Sequence, residues 1–285
     1  MKLLGYYNGE FGPLDEMRVP MNDRVCYFGD GVYDATYSRN YKIFTLQEHI
    51  DRFYNSAGLL GICVPQSKEE LKAILNEMLA KMDTGENFVY WQITRGTGIR
   101  NHVFPESDVK PNLWIVIRPV DVQPLDKKLK LITLEDTRFL HCNIKTLNLL
   151  PSVIASQKAK QAGADESILY RRELGRDRVT ECAHSNCHII KDGVFITAPT
   201  DHLILPGIAR AHLIKACKAL NIPVDETPYT LDDVFAADEV LVSSAGSFGC
   251  AAYEVDGKPV GGKAPEILAK LHAYLMAEFL EETKA

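Results

Sequence analysis

The sequence lacks an apolar run long enough to span a bilayer, and its first residues lack the long apolar core of a signal peptide. It also lacks a basic block, since 38 Asp and Glu outnumber 32 Lys and Arg and leave a net charge of −6 at pH 7. A chain without a basic stretch is poorly suited to bind nucleic acid. We therefore expect a cytoplasmic protein with neither a nucleic-acid nor a membrane partner.

Cysteine is present without a pattern, because the seven residues are odd in number and have no repeating spacing. Such a set argues against a disulfide scaffold in the cytoplasm. Cys182, His184 and His188 would share one face of a strand, which invites a zinc interpretation. This ligand set matches neither a zinc finger nor a catalytic zinc spacing, so no metal site is predicted.

The chain does have enough apolar sequence for a large core. Of its 285 residues, 46% are hydrophobic, which suits two domains or one large domain. The stretch from Pro119 to Pro124 is bounded by proline and shows no periodicity, so it is the best candidate for a linker. We expect an N-terminal domain over 1–118, a linker over 119–124 and a C-terminal domain over 125–285.

Helix and strand patterns occur in both halves of the chain, which predicts a mixed α/β fold. Capping boxes at Thr45/Glu48 and Ser67/Glu70 open two amphipathic helices that need a sheet to cover. Asn148 is expected to cap a third helix over 149–161. The predicted strands are 3–8, 32–38, 88–94, 113–117, 129–134, 166–170, 194–197 and 239–242, and later helices are predicted to end near 220 and to run over 265–282.

One lysine stands in unusual surroundings. Lys145 lies between Ile144 and Leu147, in a segment with little other charge near a strand-to-helix junction. If it points inward it loses hydration, which disfavours the ammonium form and leaves a nucleophilic amine. Such an amine can form an imine with a carbonyl compound. The alternative is an ordinary lysine whose stem covers apolar surface while its head reaches water.

Two segments are suited to hold a phosphate. Residues 205–210 precede a helix, and backbone N–H groups at a helix start beside Gly207 favour an anion. The stretch 243–247 is small and rich in hydroxyl groups, so it can wrap around a phosphate. Arg52 is either a solvated surface arginine or a third ligand for an anion.

Further groups are suited to an amino acid and its chemistry. Arg100 and His102 would share one side of an extended backbone, and together they make a good carboxylate receptor. The alternative is a solvated loop in which Arg100 pairs with Glu106 or Asp108. Glu181 brings a carboxylate into a stretch of small and polar residues.

These ingredients are the set that pyridoxal phosphate chemistry requires: a lysine for the aldehyde, an acid for the ring nitrogen, phosphate turns and a carboxylate receptor. The chain resembles the class IV (fold-type IV) pyridoxal-phosphate aminotransferases, and among them the D-amino acid transaminases. The matching stretches follow the family's order over nearly the full length and are Phe28-Gly29-Asp30-Gly31-Val32-Tyr33, Glu48-His49-Ile50-Asp51-Arg52, Thr94-Arg95-Gly96-Thr97 with Arg100 and His102, Asn143-Ile144-Lys145-Thr146-Leu147-Asn148-Leu149-Leu150, Val179-Thr180-Glu181, and Gly207-Ile208-Ala209-Arg210.

The resemblance implies a small N-terminal α/β domain, a larger C-terminal domain with a barrel-like sheet core, and pyridoxal 5'-phosphate in the cleft between them. Lys145 would hold the cofactor as an imine and shuttle the proton on the substrate Cα, and Glu181 would pair with the pyridine nitrogen. The other cofactor-binding residues that the resemblance implies are Arg52, Asn186, Leu205, Ile208, Ala209, Ser244 and Ala245. Tyr33, Arg100 and His102 would receive the substrate carboxylate, the last two from the second subunit of a homodimer.

The sequence departs from the family's pattern at three places. Ala209 stands where the family usually has threonine, and the lost hydrogen bond to a charged group is worth about 1.5–3 kcal/mol. Ala245 or Gly246 replaces a threonine of the second phosphate turn. The serine- and glycine-rich run after the acid is here Cys182-Ala183-His184. We expect weaker phosphate binding through the remaining backbone N–H groups, and a pocket reshaped by His184.

The resemblance predicts transamination of a D-amino acid such as D-alanine, with an α-keto acid such as pyruvate or 2-oxoglutarate as acceptor. Tyr33 and the Arg100–His102 pair favour this substrate class. Ala209 and the altered run after Glu181 leave two alternatives within the family open, an L-branched-chain aminotransferase and an aminodeoxychorismate lyase. The alanines in both phosphate turns suggest a third, a degenerate member that binds a metabolite or partner without turnover.

Overall fold

The computed structural model describes residues 3–120 and 127–285. The contacts within the chain divide these residues into two units. The first unit contains 3–120 together with Ile144–Asn148 and Phe279–Ala285, and the second contains 127–143 and Leu149–Glu278. The predicted linker falls partly on residues 121–124, which lie outside the described residues, so the boundaries 1–118 and 125–285 stay a prediction.

A six-stranded antiparallel sheet organises the first unit, with strand order β2-β1-β6-β5-β3-β4. The strands predicted at 3–8, 32–38, 88–94 and 113–117 are confirmed. The strands of this unit are β1 Leu4–Tyr7, β2 Glu10–Pro13, β3 Gly31–Arg39, β4 Lys42–Ile43, β5 Asn87–Thr94 and β6 Asn112–Pro119. Its helices are α1 Arg24–Phe28, α2 Leu46–Leu59 and α3 Lys68–Leu79, with a short 3-10 turn at Leu14–Glu16.

The helices α2 and α3 bury the apolar stripes that their sequences predict. Ile50 and Phe53 of α2 are fully buried, in one core with Leu71 of α3 and Trp91 of β5. The capping box at the start of α3 is confirmed. The Ser67 hydroxyl accepts a hydrogen bond from the Glu70 N–H, and the Glu70 carboxylate accepts one from the Ser67 N–H. Burial of these side chains is what holds the helices against the sheet.

Two predicted helix caps are wrong. Thr45 precedes α2 with a left-handed φ of 48°, its side chain makes no capping bond, and its N–H donates instead to Glu282 over 3.2 Å. Asn148 does not cap α4 (Leu150–Gln161), whose N-cap position is Leu149. The Asn148 side-chain amide donates instead to the Gly29 carbonyl over 3.1 Å. In both cases a contact distant in sequence replaces the local one.

A nine-stranded mixed sheet organises the second unit, with the order β12-β11-β10-β13-β14-β7-β8-β9 and β15 paired to β14. Its strands are β7 Leu129–Glu135, β8 Glu166–Glu173, β9 Arg176–Cys182, β10 Asn186–Lys191, β11 Val194–Thr197, β12 Val224–Asp225, β13 Glu239–Ser244, β14 Ser247–Val255 and β15 Lys258–Pro259. Its remaining helices are α5 Ile208–Ala219, α6 Leu231–Ala236 and α7 Pro265–Glu282, the last of which ends in the first unit.

The sheet of the second unit curls so that its two ends meet. The residues just after β12, at one end of the order, hydrogen-bond to β9 at the other end: the Val179 N–H donates to the Tyr229 carbonyl over 2.9 Å, and Arg178 forms an isolated bridge with Thr230. The barrel-like sheet core and the mixed α/β class are therefore confirmed. Among the helices of 3–120 and 127–285, none has the length and apolar character needed to cross a membrane.

His188 on β10 is a buried polar side chain of the second unit. It is fully buried, with one ring nitrogen 2.8 Å from the Thr197 hydroxyl and the other 2.8 Å from the Ser243 hydroxyl. Burial, reinforced by the nearby Arg210 cation, lowers the pKa of this imidazole from 6.5 to about 3. The folded protein therefore holds His188 neutral across a pH range in which the unfolded chain binds a proton.

We expect this histidine to make the protein sensitive to acid. Below pH 6.5, His188 binds a proton in the unfolded state but stays neutral in the folded state. The free energy of unfolding therefore falls by about 1.4 kcal/mol per pH unit. His188→Gln removes the titration, and denaturant unfolding between pH 7 and 4.5 should show a correspondingly flatter pH dependence. His141→Gln, at an exposed position of the same unit, is the control. An unchanged slope in the His188 variant would contradict this assignment.

Candidate active site

The segment that carries Lys145 lies alongside β3. The Tyr33 N–H donates to the Lys145 carbonyl over 3.0 Å, and the Leu147 N–H donates to the Gly31 carbonyl over 3.0 Å. Between these bonds, Thr146 and Val32 form an antiparallel bridge. The lysine is thus part of a short extra strand, and its backbone is fixed on both sides.

The Lys145 side chain is half-buried and extends along Tyr33. Its Nζ lies 3.4 Å from the Tyr33 hydroxyl and 4.4 Å from the centre of the ring. The Tyr33 ring in turn stacks on Tyr90, with 5.4 Å between centroids. An amine beside a phenol that is held by stacking has a fixed position and a neighbour able to exchange a proton with it.

Arg52 lies on α2 and is oriented by a buried carboxylate. Its Nε and Nη2 donate to the two oxygens of Asp34 over 2.8 and 2.7 Å, and His49 contacts the same carboxylate over 2.7 Å. Burial opposes ionisation of Asp34, but Arg52 and His49 outweigh it and hold its pKa well below the usual range. Burial lowers the pKa of His49 despite the attraction of Asp34. Arg52 is therefore a fixed cation, as an anion ligand needs to be.

Arg100 and His102 lie in the exposed loop between β5 and β6. Both side chains reach one aromatic ring, with the Arg100 guanidinium 5.2 Å and the His102 ring 5.2 Å from the centre of Phe28. The expectation that the two side chains share one side of the loop is confirmed. Among the described residues, neither Glu106 nor Asp108 is ion-paired with Arg100.

Glu181 is a buried carboxylate at the end of β9 that accepts hydrogen bonds from side-chain and backbone donors. The Asn186 side-chain amide and the Leu205 N–H donate to Oε2 over 2.8 and 3.1 Å, and Arg138 donates to Oε1. Burial favours a neutral Arg138, but the Glu181 and Asp136 carboxylates outweigh it and raise the pKa of this arginine. The Glu181 carboxylate is thereby held in one orientation beside a cation.

Sequence reasoning missed Arg138. The only signal in the sequence was an arginine seven residues before Lys145, in a segment expected to be extended. Such a segment alone does not reveal which residue pairs with the arginine. In the structure this guanidinium connects Glu181, Asp136 and the Leu203 carbonyl, which accepts over 3.0 Å. Its role is to fix the carboxylate, in the way that groups behind a ligand commonly orient it.

The N-terminus of α5 has the features of a phosphate site. No described side chain caps this end, and its first turn carries no acidic residue. The N–H groups of the first turn, including those of Ile208 and Ala209, have no partner within the helix. Gly207 lets the Asn186 side chain pack against the start of the helix, since a Cβ at position 207 would collide with that side chain. A dipole end with unpaired donors favours an anion.

The second phosphate turn connects β13 to β14. Within it, the Ser244 and Ser247 hydroxyls lie 2.8 Å apart, and the Gly246 N–H points to the Ser244 hydroxyl over 3.3 Å. Ser243 pairs with Asn186 at the start of the neighbouring strand β10. The turn therefore lies at the same end of these strands as Glu181 and the start of α5. The structure thus brings together all the cofactor-binding residues predicted in the second unit, and Ala245 forms the tip of the turn.

His184 lies in the turn between β9 and β10. The idea that Cys182, His184 and His188 share one strand face is wrong, because residues 183–185 interrupt the strand. The His184 imidazole contacts the buried carboxylate of Glu166, which also accepts from the Ser185 hydroxyl over 2.9 Å. Within the described residues no group of three or more His, Cys, Asp or Glu could hold a metal ion.

The residues present fit a pyridine cofactor with a phosphate. The first unit offers a lysine amine beside a phenol and a fixed arginine. The second offers an oriented carboxylate for a ring nitrogen and two adjacent turns whose backbone N–H and hydroxyl groups suit a phosphate. Each set, taken by itself, has the chemistry of one part of pyridoxal phosphate: an amine suits its aldehyde, a carboxylate suits its ring nitrogen, and the two turns suit its phosphate.

Comparison with known proteins agrees with this chemistry. The chain is 41% identical to a D-alanine aminotransferase of Listeria monocytogenes serotype 4b (strain F2365) over 99% of its length and 97% of that protein. It is 38% identical to a D-alanine aminotransferase of Staphylococcus aureus (strain MSSA476), over 93% of this chain and 94% of that one.

Solved structures share the fold. The T.th. branched-chain amino acid aminotransferase, complexed with N-(5'-phosphopyridoxyl)-L-glutamate, superposes with a TM-score of 0.86 at 26% identity, covering 97% of this chain and 94% of that one. The branched-chain enzyme from Escherichia coli has a TM-score of 0.87 at 22% identity, covering 100% and 96%, and so shows the fold alone. Residues 31–251 match the family described as amino-transferase class IV. The chain therefore belongs to the class IV aminotransferases.

Proposed function

We propose that the protein transfers the amino group of a D-amino acid, such as D-alanine, to an α-keto acid, with pyridoxal phosphate as cofactor. The observation that carries this proposal is the 41% identity to a D-alanine aminotransferase over 99% of the chain. The lysine and phenol of the first unit, and the oriented carboxylate and phosphate turns of the second, are groups that such a reaction needs, which supports the same conclusion.

Lys145 is the residue to which we assign the chemistry. The bound cofactor supplies an electron sink for the bond that breaks at the substrate Cα. The Lys145 amine would bind the cofactor's aldehyde and then, once displaced by substrate, take up and return the proton at Cα. The Tyr33 hydroxyl, 3.4 Å from Nζ, holds the amine in place for both tasks.

We assign the other residues to orientation and anion binding. Glu181, held by Arg138 and Asn186, would keep a proton on the pyridine nitrogen. Arg52, the N–H groups of Ile208 and Ala209, and the Ser244–Ala245 turn would hold the phosphate, with Leu205 lining the site through its backbone. The alanines at 209 and 245 provide fewer hydroxyls, so backbone N–H groups would supply more of the phosphate binding.

Tyr33, Arg100 and His102 would bind the substrate carboxylate, and we propose that the last two act in the partner subunit of a homodimer. Their loop supports this, because its neighbouring apolar side chains are unusually exposed, Ile99 at 93% and Phe104 at 66%. Exposed apolar side chains beside polar donors are typical of an interface. We also infer a cytoplasmic location, in agreement with seven free cysteines.

The test is the visible absorption spectrum of the protein reconstituted with pyridoxal phosphate and freed of excess cofactor. We expect a band of the bound cofactor that disappears with D-alanine and persists with L-valine. Loss with L-valine alone would move the assignment to a branched-chain aminotransferase, the activity named for the solved T.th. structure. A band unchanged by either amino acid would favour the lyase, and failure to bind the cofactor would favour a non-catalytic protein.

A further inference from the structure

A cluster of buried charges lies behind the loop that carries Arg100 and His102. Arg24 at the start of α1 is 4% exposed, and Arg95 at the end of β5 is 7% exposed. Both donate through Nε to the Asp30 carboxylate, over 2.7 and 3.0 Å. The shared carboxylate holds both guanidinium groups in place, because a buried cation is costly without a charged or hydrogen-bonding partner.

Arg24 also binds the loop itself. Its Nη1 donates to the carbonyls of Asn101 and Val103, over 2.7 and 3.2 Å. These two carbonyls belong to the residues on either side of His102. One guanidinium therefore restrains the backbone before and after the histidine, which fixes the point from which its imidazole extends.

Phe28 completes the arrangement by positioning the side chains. The Arg24 guanidinium lies 5.0 Å and the Arg100 guanidinium 5.2 Å from the centre of its ring, and the His102 ring is 5.2 Å away. Cations near an aromatic ring are attracted to its face. The ring thus gives both receptor side chains a common support.

Arg95 anchors the start of the loop and one side chain in its middle. It donates to the Leu60 and Gly61 carbonyls at the end of α2, over 2.9 and 3.3 Å. Its guanidinium also stacks 3.6 Å from the centre of the Phe104 ring, beyond His102. The loop is therefore anchored at its start, around its histidine and at Phe104, although its surface is exposed.

We propose that Arg24 is a positioning residue for substrate carboxylate recognition, which acts by holding the loop so that Arg100 and His102 are preset to receive a carboxylate. This inference rests on the proposed function of those two residues. A preset receptor loses less conformational entropy when it binds, so the effect belongs in binding and not in the chemical step. Arg24 itself would touch neither substrate nor cofactor.

The experiment compares the holoenzyme with its Arg24→Gln variant, which keeps a polar side chain but loses the fork of donors. Loss of hydrogen bonds to a charged group predicts a KM for D-alanine raised about tenfold or more, with kcat within about twofold. Propionate, which has the carboxylate and alkyl group of alanine without the amine, should lose inhibition by a similar factor. Cofactor content and its absorption band should not change.

Arg118→Gln is the matched control, since Arg118 is an exposed arginine of the same unit with a guanidinium 4.8 Å from the Phe88 ring. It should change none of these quantities. If Arg24→Gln fails to fold, Arg24→Lys decides, because lysine keeps a cation beside Asp30 but loses the fork that reaches the Asn101 and Val103 carbonyls; KM and the propionate inhibition constant should then rise together. Unchanged binding constants in a folded Arg24 variant, or a loss confined to kcat, would overturn the inference alone. A wild-type protein inactive on D-alanine would overturn the proposed function and this inference with it.

Discussion

Replacing Lys145 by alanine is expected to lower kcat for D-alanine by about 10²–10⁴-fold, the range that a positioned proton-transfer group contributes. The variant should also lose the visible band of covalently held cofactor, because no other described lysine shares the contact between Nζ and the Tyr33 hydroxyl. The measurement combines steady-state kinetics with the absorption spectrum of the reconstituted protein. The variant should still bind cofactor, since the phosphate turns lie elsewhere in the chain.

Lys68→Ala is a suitable control for the lysine substitution. Lys68 lies in the same unit, where it forms an exposed ion pair with Asp51. It should leave the spectrum and kcat unchanged, because an exposed pair contributes little to the structure. Addition of a small primary amine, such as methylamine, should restore part of the Lys145→Ala activity by supplying the missing base. Full activity in the Lys145 variant without added amine would exclude the proposed role.

The elements with strong local patterns were predictable from sequence. The apolar stripe of α7 predicted a helix over 265–282, and the structure has the same bounds. The capping box at Ser67 was also predictable, since it involves side chains three residues apart. The similar pattern at Thr45 failed because Glu282, more than two hundred residues away, accepts the bond from its N–H. Local patterns do not reveal a competitor so distant in the chain.

The candidate site shows the same division. Lys145 could be singled out because a lysine among apolar residues is unusual, but its neighbour Tyr33 depends on a bridge between segments over one hundred residues apart. The groups that orient the site were the least visible. Arg138 and Arg24 are arginines without a motif, and their roles become evident only where their partners are placed in space.

Asp34→Ala is expected to cost about 3–5 kcal/mol of stability, the usual range when one partner of a buried ion pair is removed. The Asp34 side chain is fully buried, and its removal takes away the acceptor that the Arg52 guanidinium and His49 share. Urea unfolding of the cofactor-free protein measures this loss. Because Arg52 also loses the group that orients it, the dissociation constant for pyridoxal phosphate should rise as well.

Asp51→Ala provides the matched control, because Asp51 precedes Arg52 on α2 and forms an ion pair in which both side chains are about half exposed, 49% and 45%. It should cost less than about 1 kcal/mol. The pH dependence separates the two aspartates further. The folded-state pKa of Asp34 lies below the unfolded value of 3.8, so its contribution is present above that pH and is lost as the pH falls. The deficit of the Asp34 variant should therefore shrink in acid, and equal losses in the two variants at neutral pH would show that the buried pair does not organise this part of the fold.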